Sequence, residues 1–271
     1  MSKIPINGFA VLCYDTDNIG DDIQSIAASS YLPTVDYYVL RDNMSVVYDS
    51  KTFALIPAEQ LSTMKIAVLI NGWFMHPVAG KFNFPPKNCP WMIPMYTSMH
   101  ISTVHNNPMY GLESIAYFKQ YEPIGCRDTY TYNNLQRLGV KVYLSACLTL
   151  GLRLPGKAPL RTGEPIYSVK KSREPKGTTR VLSHITREKS VPKRFQLARE
   201  LLVKYWSATS VVTDRLHCYL PCTALDTPVR YIGPKDYRTN DYLVKPGLRF
   251  SKHNADVRKR ITEFVERFQR I

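Results

Sequence analysis

Residues 1–150 alternate short apolar runs with amphipathic ones at a spacing that few folds admit. The run at 9–14 (FAVLCY) reads as a buried strand, and the polar turn at 15–20 (DTDNIG) leads into a helix over 21–31. Apolar β runs follow at 37–40 and 65–70, each closed by polar or glycine punctuation, and 101–104 fits a further strand. Helical patterns at 110–120 and 129–138 enclose a short strand at 124–126, and Gly139 ends the second helix before a strand at 140–144. Strands separated by helices need crossover connections, which predicts an α/β fold with a mostly parallel sheet covered on both faces.

Between 152 and 179 the pattern dissolves into Pro, Gly, Lys and Arg (RLPGKAPLRTGEP, then KKSREPKGTT), the composition of a linker. Order resumes with a strand at 180–186. A helix at 192–206 follows, capped by Ser190, with Phe195, Ala198, Leu201, Leu202 and Tyr205 on one face. A strand at 209–213, a helix to 225 and a strand at 228–232 come next. Asn254 is expected to cap a last helix, whose Val257, Ile261, Phe264, Val265 and Phe268 make a core stripe. Two small α/β domains, 1–153 and 154–271, facing each other across a cleft are the economical architecture.

Charge separates the same halves. Residues 1–150 hold 10 Lys and Arg against 11 Asp and Glu, whereas 151–271 hold 26 against 11. The second half should therefore attract anions. A nucleic acid, an acidic glycan and a phosphorylated small molecule all fit, but no helix-turn-helix, zinc-finger spacing or aromatic RNA-binding signature accompanies the charge, so no nucleic-acid partner is expected. No apolar run approaches the ~18 residues of a membrane span. No cleavable apolar leader follows Met1, and most of the six cysteines sit among apolar neighbours as reduced thiols do. A cytoplasmic protein is the expectation. His217, Cys218 and Cys222 fall short of a zinc ligand set, so no metal is expected.

In a parallel sheet, ligands bind beyond the carboxyl ends of strands, where loops enter helix N-termini. Three segments fall there. In Asp17-Asn18-Ile19-Gly20-Asp21-Asp22, the glycine permits a tight turn, and the carboxylates suit either a helix cap or a sugar hydroxyl. Capping alone is the simpler reading of Asp22. In Thr213-Asp214-Arg215-Leu216-His217, an arginine fork can hold a carboxylate or phosphate, and the histidine can exchange a proton near neutral pH. A structural Arg–Asp pair with a satisfied histidine explains the same residues equally well. In Gly125-Cys126-Arg127-Asp128, Arg127 reaches either a ligand or a neighbouring carboxylate. GxGxxG, GxxxxGK[ST] and GxSxG are all absent, which disfavours a dinucleotide oxidoreductase, a kinase and a serine hydrolase.

At these places the chain resembles the polysaccharide pyruvyl transferase family. The matching stretches are Asn18-Ile-Gly-Asp21 with Gln24; Ile70-Asn-Gly-Trp-Phe74; Tyr117-Phe-Lys with Pro123-Ile-Gly-Cys-Arg-Asp128, Thr131 and Leu135; Ser145-Ala-Cys-Leu-Thr-Leu150; and Thr213-Asp-Arg-Leu-His-Cys-Tyr-Leu-Pro221 with Thr227-Pro-Val229. The resemblance implies two Rossmann-like domains in a glycosyltransferase-B-like arrangement, with the site between them. It implies transfer of pyruvate from phosphoenolpyruvate onto two sugar hydroxyls, giving a cyclic ketal and phosphate. The family's Arg-Leu-His triplet, linked to donor binding and catalysis, falls on Arg215, Leu216 and His217. That chemistry would use Arg215, with Arg127 and Arg238, for the donor's anions and His217 for proton transfer. Asp21 is the candidate base, and Asn18, Gly20 and Asp21 would form the acceptor side. It asks for no metal or organic cofactor. The segment 70–74 has one glycine where relatives often have a glycine-richer turn. Two other readings remain: a nucleotide-sugar glycosyltransferase of similar fold, and a non-catalytic basic module that binds glycan or nucleic acid.

Overall fold

The computed structural model describes residues 3–74, 84–103, 107–162, 165–174, 176, 182–237, 239–243 and 246–271. The first half runs β1 (Ile4–Ile6), β2 (Gly8–Cys13), α1 (Ile19–Ser29), β3 (Tyr37–Leu40), β4 (Val47–Asp49), α2 (Ala58–Ser62), β5 (Ile66–Phe74), β6 (Met92–Ile101), α3 (Leu112–Gln120), β7 (Ile124–Cys126), α4 (Thr129–Arg137) and β8 (Val142–Leu144). The second half adds β9 (Ile166–Ser168), α5 (Val191–Ser207), β10 (Val211–Thr213), α6 (Leu216–Ala224), β11 (Val229–Tyr231), α7 (Asn240–Leu243), α8 (Pro246–Val265) and β12 (Phe268–Arg270).

The apolar runs of the first half pair as a seven-stranded sheet in the order β4-β3-β2-β5-β6-β7-β8, parallel except for the β3–β4 pair. Strand order reverses between β2 and β5, so the crevice beyond their carboxyl ends is where this topology opens for a ligand. The second half supplies a three-stranded parallel sheet, β11-β10-β9. The α/β class with mostly parallel sheets is thus as the alternation requires.

One buried helix joins the two sheets. Ten of the eleven residues of α1 are buried, and its Ile19, Ile23 and Ala27 share a core with Val11 and Leu69 of the large sheet and with Phe195, Leu202 and Val211 of the second half. Each fully buried aliphatic side chain there contributes about 1.5–3 kcal/mol. The polar residues of α1 are buried with partners, as burial demands. Ser25 donates to the Leu12 carbonyl, and Asp22 pairs with Arg194 of α5 at 2.7 Å. Asp22 therefore ties α1 to α5 rather than capping a helix. Burial drives its carboxyl up to about 6, against the opposing pull of Arg194. At the far end, β12 pairs with β1, and the Arg258 guanidinium lies 4.4 Å over the Tyr31 ring, so the last helix returns to the first half. Among the described residues, no helix is long and apolar enough to cross a membrane.

Several expected elements come out differently. Of the strand expected at 101–104, only Ile101 is in a strand, as the last residue of the ten-residue β6; Ser102 and Thr103 follow it as loop, and Val104 lies outside the described residues. Pro94, Thr97, Ser98 and His100 disguise β6 as a loop, but the interior satisfies its polar atoms: Tyr143 Oη donates to Thr97 Oγ1, and Ser98 N donates to Ser145 Oγ. The strand expected at 180–186 does not form over its described part, 182–186, where Ile185 makes only an isolated bridge to Asn18; Arg180 and Val181 lie outside the described residues. Ser190 occupies the N-cap position of α5 without a side-chain bond to the helix. Asn254 lies inside α8, where its Oδ1 accepts from Tyr31 Oη at 2.6 Å, so it works as a tertiary contact and not as a cap.

Candidate active site

A cavity of about 270 Å³ opens at the reversal point of the large sheet. The first half lines it with Asn18 from the loop after β2, Trp73 from the end of β5 and Arg127 from the end of β7. The second half closes it with Lys170, Arg173 and His184 and with the junction Asp214–His217 after β10, while Tyr231, Pro234 and Thr239 complete the rim. A wider groove of about 530 Å³, against Met95, Pro123, Tyr143 and Arg260, contains none of the three junction segments.

The first-half wall is a continuous chain of bonds. Arg127 Nη1 donates to Gln24 Oε1 at 3.0 Å, and Gln24 Nε2 donates to Asp21 Oδ1 at 3.1 Å. Asp21 Oδ2 accepts from Thr16 Oγ1 at 2.8 Å and lies 3.8 Å from Arg41 Nη1. Arg41 in turn donates to the Trp73 carbonyl at 2.9 Å. On its other side, Arg127 Nε is 3.8 Å from Asp128 Oδ2, and the Arg127 carbonyl accepts from Tyr242 Oη at 2.6 Å. Asp128 caps α4 by accepting from Thr131 N and contacts His100 Nδ1 at 2.6 Å. Burial pushes the Asp128 carboxyl up, but His100, Arg127 and the Thr131 N–H together outweigh it and hold the group below its ordinary range.

The second-half wall follows from a strand running into a helix. Arg215 is the N-cap of α6; its N–H donates to Thr213 Oγ1 at 3.0 Å, and Thr213 Oγ1 donates to the Ser168 carbonyl. The Arg215 side chain is half-buried, and its buried Nε, like that of Arg127, has no hydrogen-bond partner among the described residues. Asp214 Oδ2 accepts from Arg173 Nη1 at 2.8 Å and from Lys170 N at 3.2 Å. The backbone at His217 leaves helical geometry, with φ −83° and ψ 19°. Among the described residues, four cationic side chains therefore line the cavity (Arg127, Lys170, Arg173 and Arg215) against the single carboxylate Asp214. The N-termini of α1 and α6 also open on it, each adding partial positive charge. The arrangement can neutralise an anion with more than one charged group.

The first and last junctions touch through a glycine. A Cβ on Gly20 would lie 3.0 Å from His217 Cβ and 3.3 Å from His184 Nδ1. Gly20 thus lets α1 come close enough for both histidines to reach the cavity. Of the residues singled out from sequence, Asn18, Arg127, Arg215, Leu216 and His217 line the cavity. Asp21 stands behind it with its carboxylate occupied by Thr16 and Gln24, and Arg238 lies outside the described residues. Lys170 and Arg173 escaped the sequence reading because they sit in what resembles a linker. His184 escaped for lack of any local motif, and so did the His100–Asp128 pair behind the wall.

The model of the polysaccharide pyruvyl transferase family matches residues 18–236, a span that begins at the Asn18 cap and holds every cavity residue except Thr239. This chain belongs to the polysaccharide pyruvyl transferase family. Among solved structures, this family member is similar to a functionally uncharacterised protein from Klebsiella pneumoniae, with 15% identity, a TM-score of 0.51, and coverage of 98% of this chain and 93% of that one. That similarity is one of fold. S. aureus MnaA, in a co-structure with UDP, aligns at 7% identity and a TM-score of 0.44 over 97% of this chain and 92% of its own. No curated protein matches the sequence.

Proposed function

We propose that this protein transfers the pyruvyl group of phosphoenolpyruvate onto two hydroxyls of a sugar, in a glycan or glycan precursor, forming a cyclic ketal and releasing phosphate. The observation that carries the reading is the four cations against one carboxylate among the cavity's described residues, within the span that matches the family. Phosphoenolpyruvate presents a phosphate and a carboxylate. Arg215 and Arg173 suit one group and Arg127 the other, since a guanidinium holds such oxyanions by two parallel bonds. Protonated His217 gives a proton to the methylene carbon, and the first sugar hydroxyl adds to the carbon that bears the phosphate, passing its proton back to the vacated imidazole. The carbon–oxygen bond to phosphate breaks, and the second hydroxyl closes the ring as its proton passes to the departing phosphate or to solvent. Positioning and charge neutralisation supply most of what this needs from the protein, and no metal or organic cofactor enters the scheme. On this reading Asp21 serves through Gln24, holding Arg127 in place, while Asn18 faces the reacting groups.

The same proposal treats 1–153 as the acceptor side and 154–271 as the donor side of a glycosyltransferase-B-like pair of Rossmann-like units. The cavity draws residues from both stretches, which supports that division. The test is phosphate release from phosphoenolpyruvate with a panel of galactosides and N-acetylhexosaminides. Release that depends on a glycoside, with the ketal found in the product, is the expected result. Nucleotide binding with no response to phosphoenolpyruvate would favour a nucleotide-sugar transferase instead.

A further inference from the structure

Trp73 is the only one of the nine β5 residues that is not buried. Its position follows from a break in the sheet. The pairing of β5 with β6 shifts register between Ile70 and Gly72, and Gly72 adopts φ +116°, a conformation that favours glycine. A register shift of this kind re-aims the next side chain. Here that side chain lines the cationic cavity while its neighbour Phe74 stays in the core. Trp73 also opens an aromatic row. Its ring centroid is 6.4 Å from that of His100; His100 stacks on Tyr237 at 5.6 Å, and Tyr237 lies 5.0 Å from Tyr130. The row is anchored by the His100–Asp128 contact and by Thr103 Oγ1 donating to Tyr237 Oη. Trp73, Tyr130 and Tyr237 are each half-buried.

We infer that Trp73 is the platform for the acceptor, a neutral hexopyranoside whose C–H face stacks on the indole beside the anion-binding cavity. The inference rests on the pyruvyl-transfer reading for the identity of the neighbouring donor, and it deepens that reading by naming the acceptor's subsite. The chemistry is complementary: the face of an indole is electron-rich, and the aliphatic hydrogens of a pyranose ring carry slight positive charge. An anionic acceptor would be drawn to the cations instead and would compete with the donor. A stacked neutral ring leaves those cations to phosphoenolpyruvate and keeps its hydroxyls at the edge, where the ketal must form.

The experiment compares wild type, Trp73→Phe and Trp73→Ala on two separate readouts. Phosphoenolpyruvate affinity is measured by calorimetry, and the response to methyl β-galactoside and methyl N-acetylhexosaminides is measured by tryptophan fluorescence and as the acceptor KM for phosphate release. The expected result is unchanged donor affinity in all three proteins. The acceptor KM should rise at least tenfold in Trp73→Ala and less in Trp73→Phe, and the glycoside-dependent fluorescence change should vanish in both variants. An acceptor KM within twofold of wild type in Trp73→Ala overturns the inference, as does a wild type that binds phosphoenolpyruvate but shows no fluorescence response to any glycoside. A wild type whose Trp73 responds to a glycoside without binding phosphoenolpyruvate leaves the sugar platform standing and removes the donor reading.

Discussion

On the cavity wall built by the first half, Arg127 is buried and bonded to Gln24, with Asp128 beside it. On the wall built by the second half, the half-buried Arg215 side chain makes no hydrogen bond or ion pair among the described residues, and Arg173 keeps 38% of its side-chain surface in solvent. The first wall's arginine is held by Gln24 and by the neighbouring Asp128 before any ligand arrives, although its Nε, like that of Arg215, makes no hydrogen bond among the described residues, so it is the more fixed of the two arginines. The second wall holds donor capacity in reserve, which an anion would satisfy. A group already paired stabilises the fold, whereas a group awaiting a partner is free to spend its interaction on binding. Substitutions on the two walls should therefore report on different quantities.

The largest effect is expected at His217, which lies on the responsive wall. His217→Ala should keep its melting temperature and its phosphoenolpyruvate affinity while phosphate release slows roughly 10²–10⁴-fold, if the imidazole moves a proton in the chemical step. A destabilised variant with normal turnover per folded molecule would return His217 to a structural role. On the fixed wall, Asp128→Asn should cost about 3 kcal/mol of stability at neutral pH by urea denaturation, because it breaks a buried charged contact. Its pH dependence has a definite sign. The folded carboxyl titrates below its ordinary range, so its stabilisation is present at neutral pH and is lost as pH falls through that range. The gap between wild type and Asp128→Asn should therefore close on acidification.

Arg215→Ala sharpens the comparison from the other side. Donor affinity should fall by roughly 2–4 kcal/mol, with a shallower salt dependence, while stability stays within about 0.5 kcal/mol of wild type. Equal losses of stability in Arg215→Ala and Asp128→Asn would erase the distinction between the walls. The smallest expected effect concerns Asp22, at the joint between α1 and α5. Its folded pKa is raised to about 6, so its contribution is greatest below the ordinary carboxylate range and declines as pH rises through 6. The stability difference between wild type and Asp22→Asn should thus be largest in acid, opposite to Asp128, when both are followed by denaturation between pH 4 and 7.5.

Much of the lining of the candidate site was legible in the sequence because junction residues lie at predictable places on a parallel sheet. Asn18, Arg127 and Arg215 could be assigned to carboxyl edges from local pattern alone. Asp21 shows the limit of that reasoning. Its position at a helix start was correct, but nothing local says that Thr16 and Gln24 occupy its oxygens. Lys170 and Arg173 were hidden for the opposite reason, since a basic, proline-rich stretch has no periodicity to mark which cations fold inward. β6 was obscured because buried polar residues look like loop residues until their partners, Tyr143, Ser145 and Asp128, are known.

What the sequence by itself determined was the alternation, the sheet edges where loops enter helices, and the excess of positive charge in the second half. These are properties of neighbouring residues and of composition, and they survive whatever the chain packs against. Tertiary structure alone decided which junctions meet: Gly20 beneath His217, Gln24 against Arg127 across 103 residues, and Asn254 drawn inside a helix to meet Tyr31. Such contacts depend on strand order and on how closely helices approach, and no local preference encodes either. The physical reason is that a buried polar atom is satisfied by whichever partner the fold delivers, at any distance along the chain.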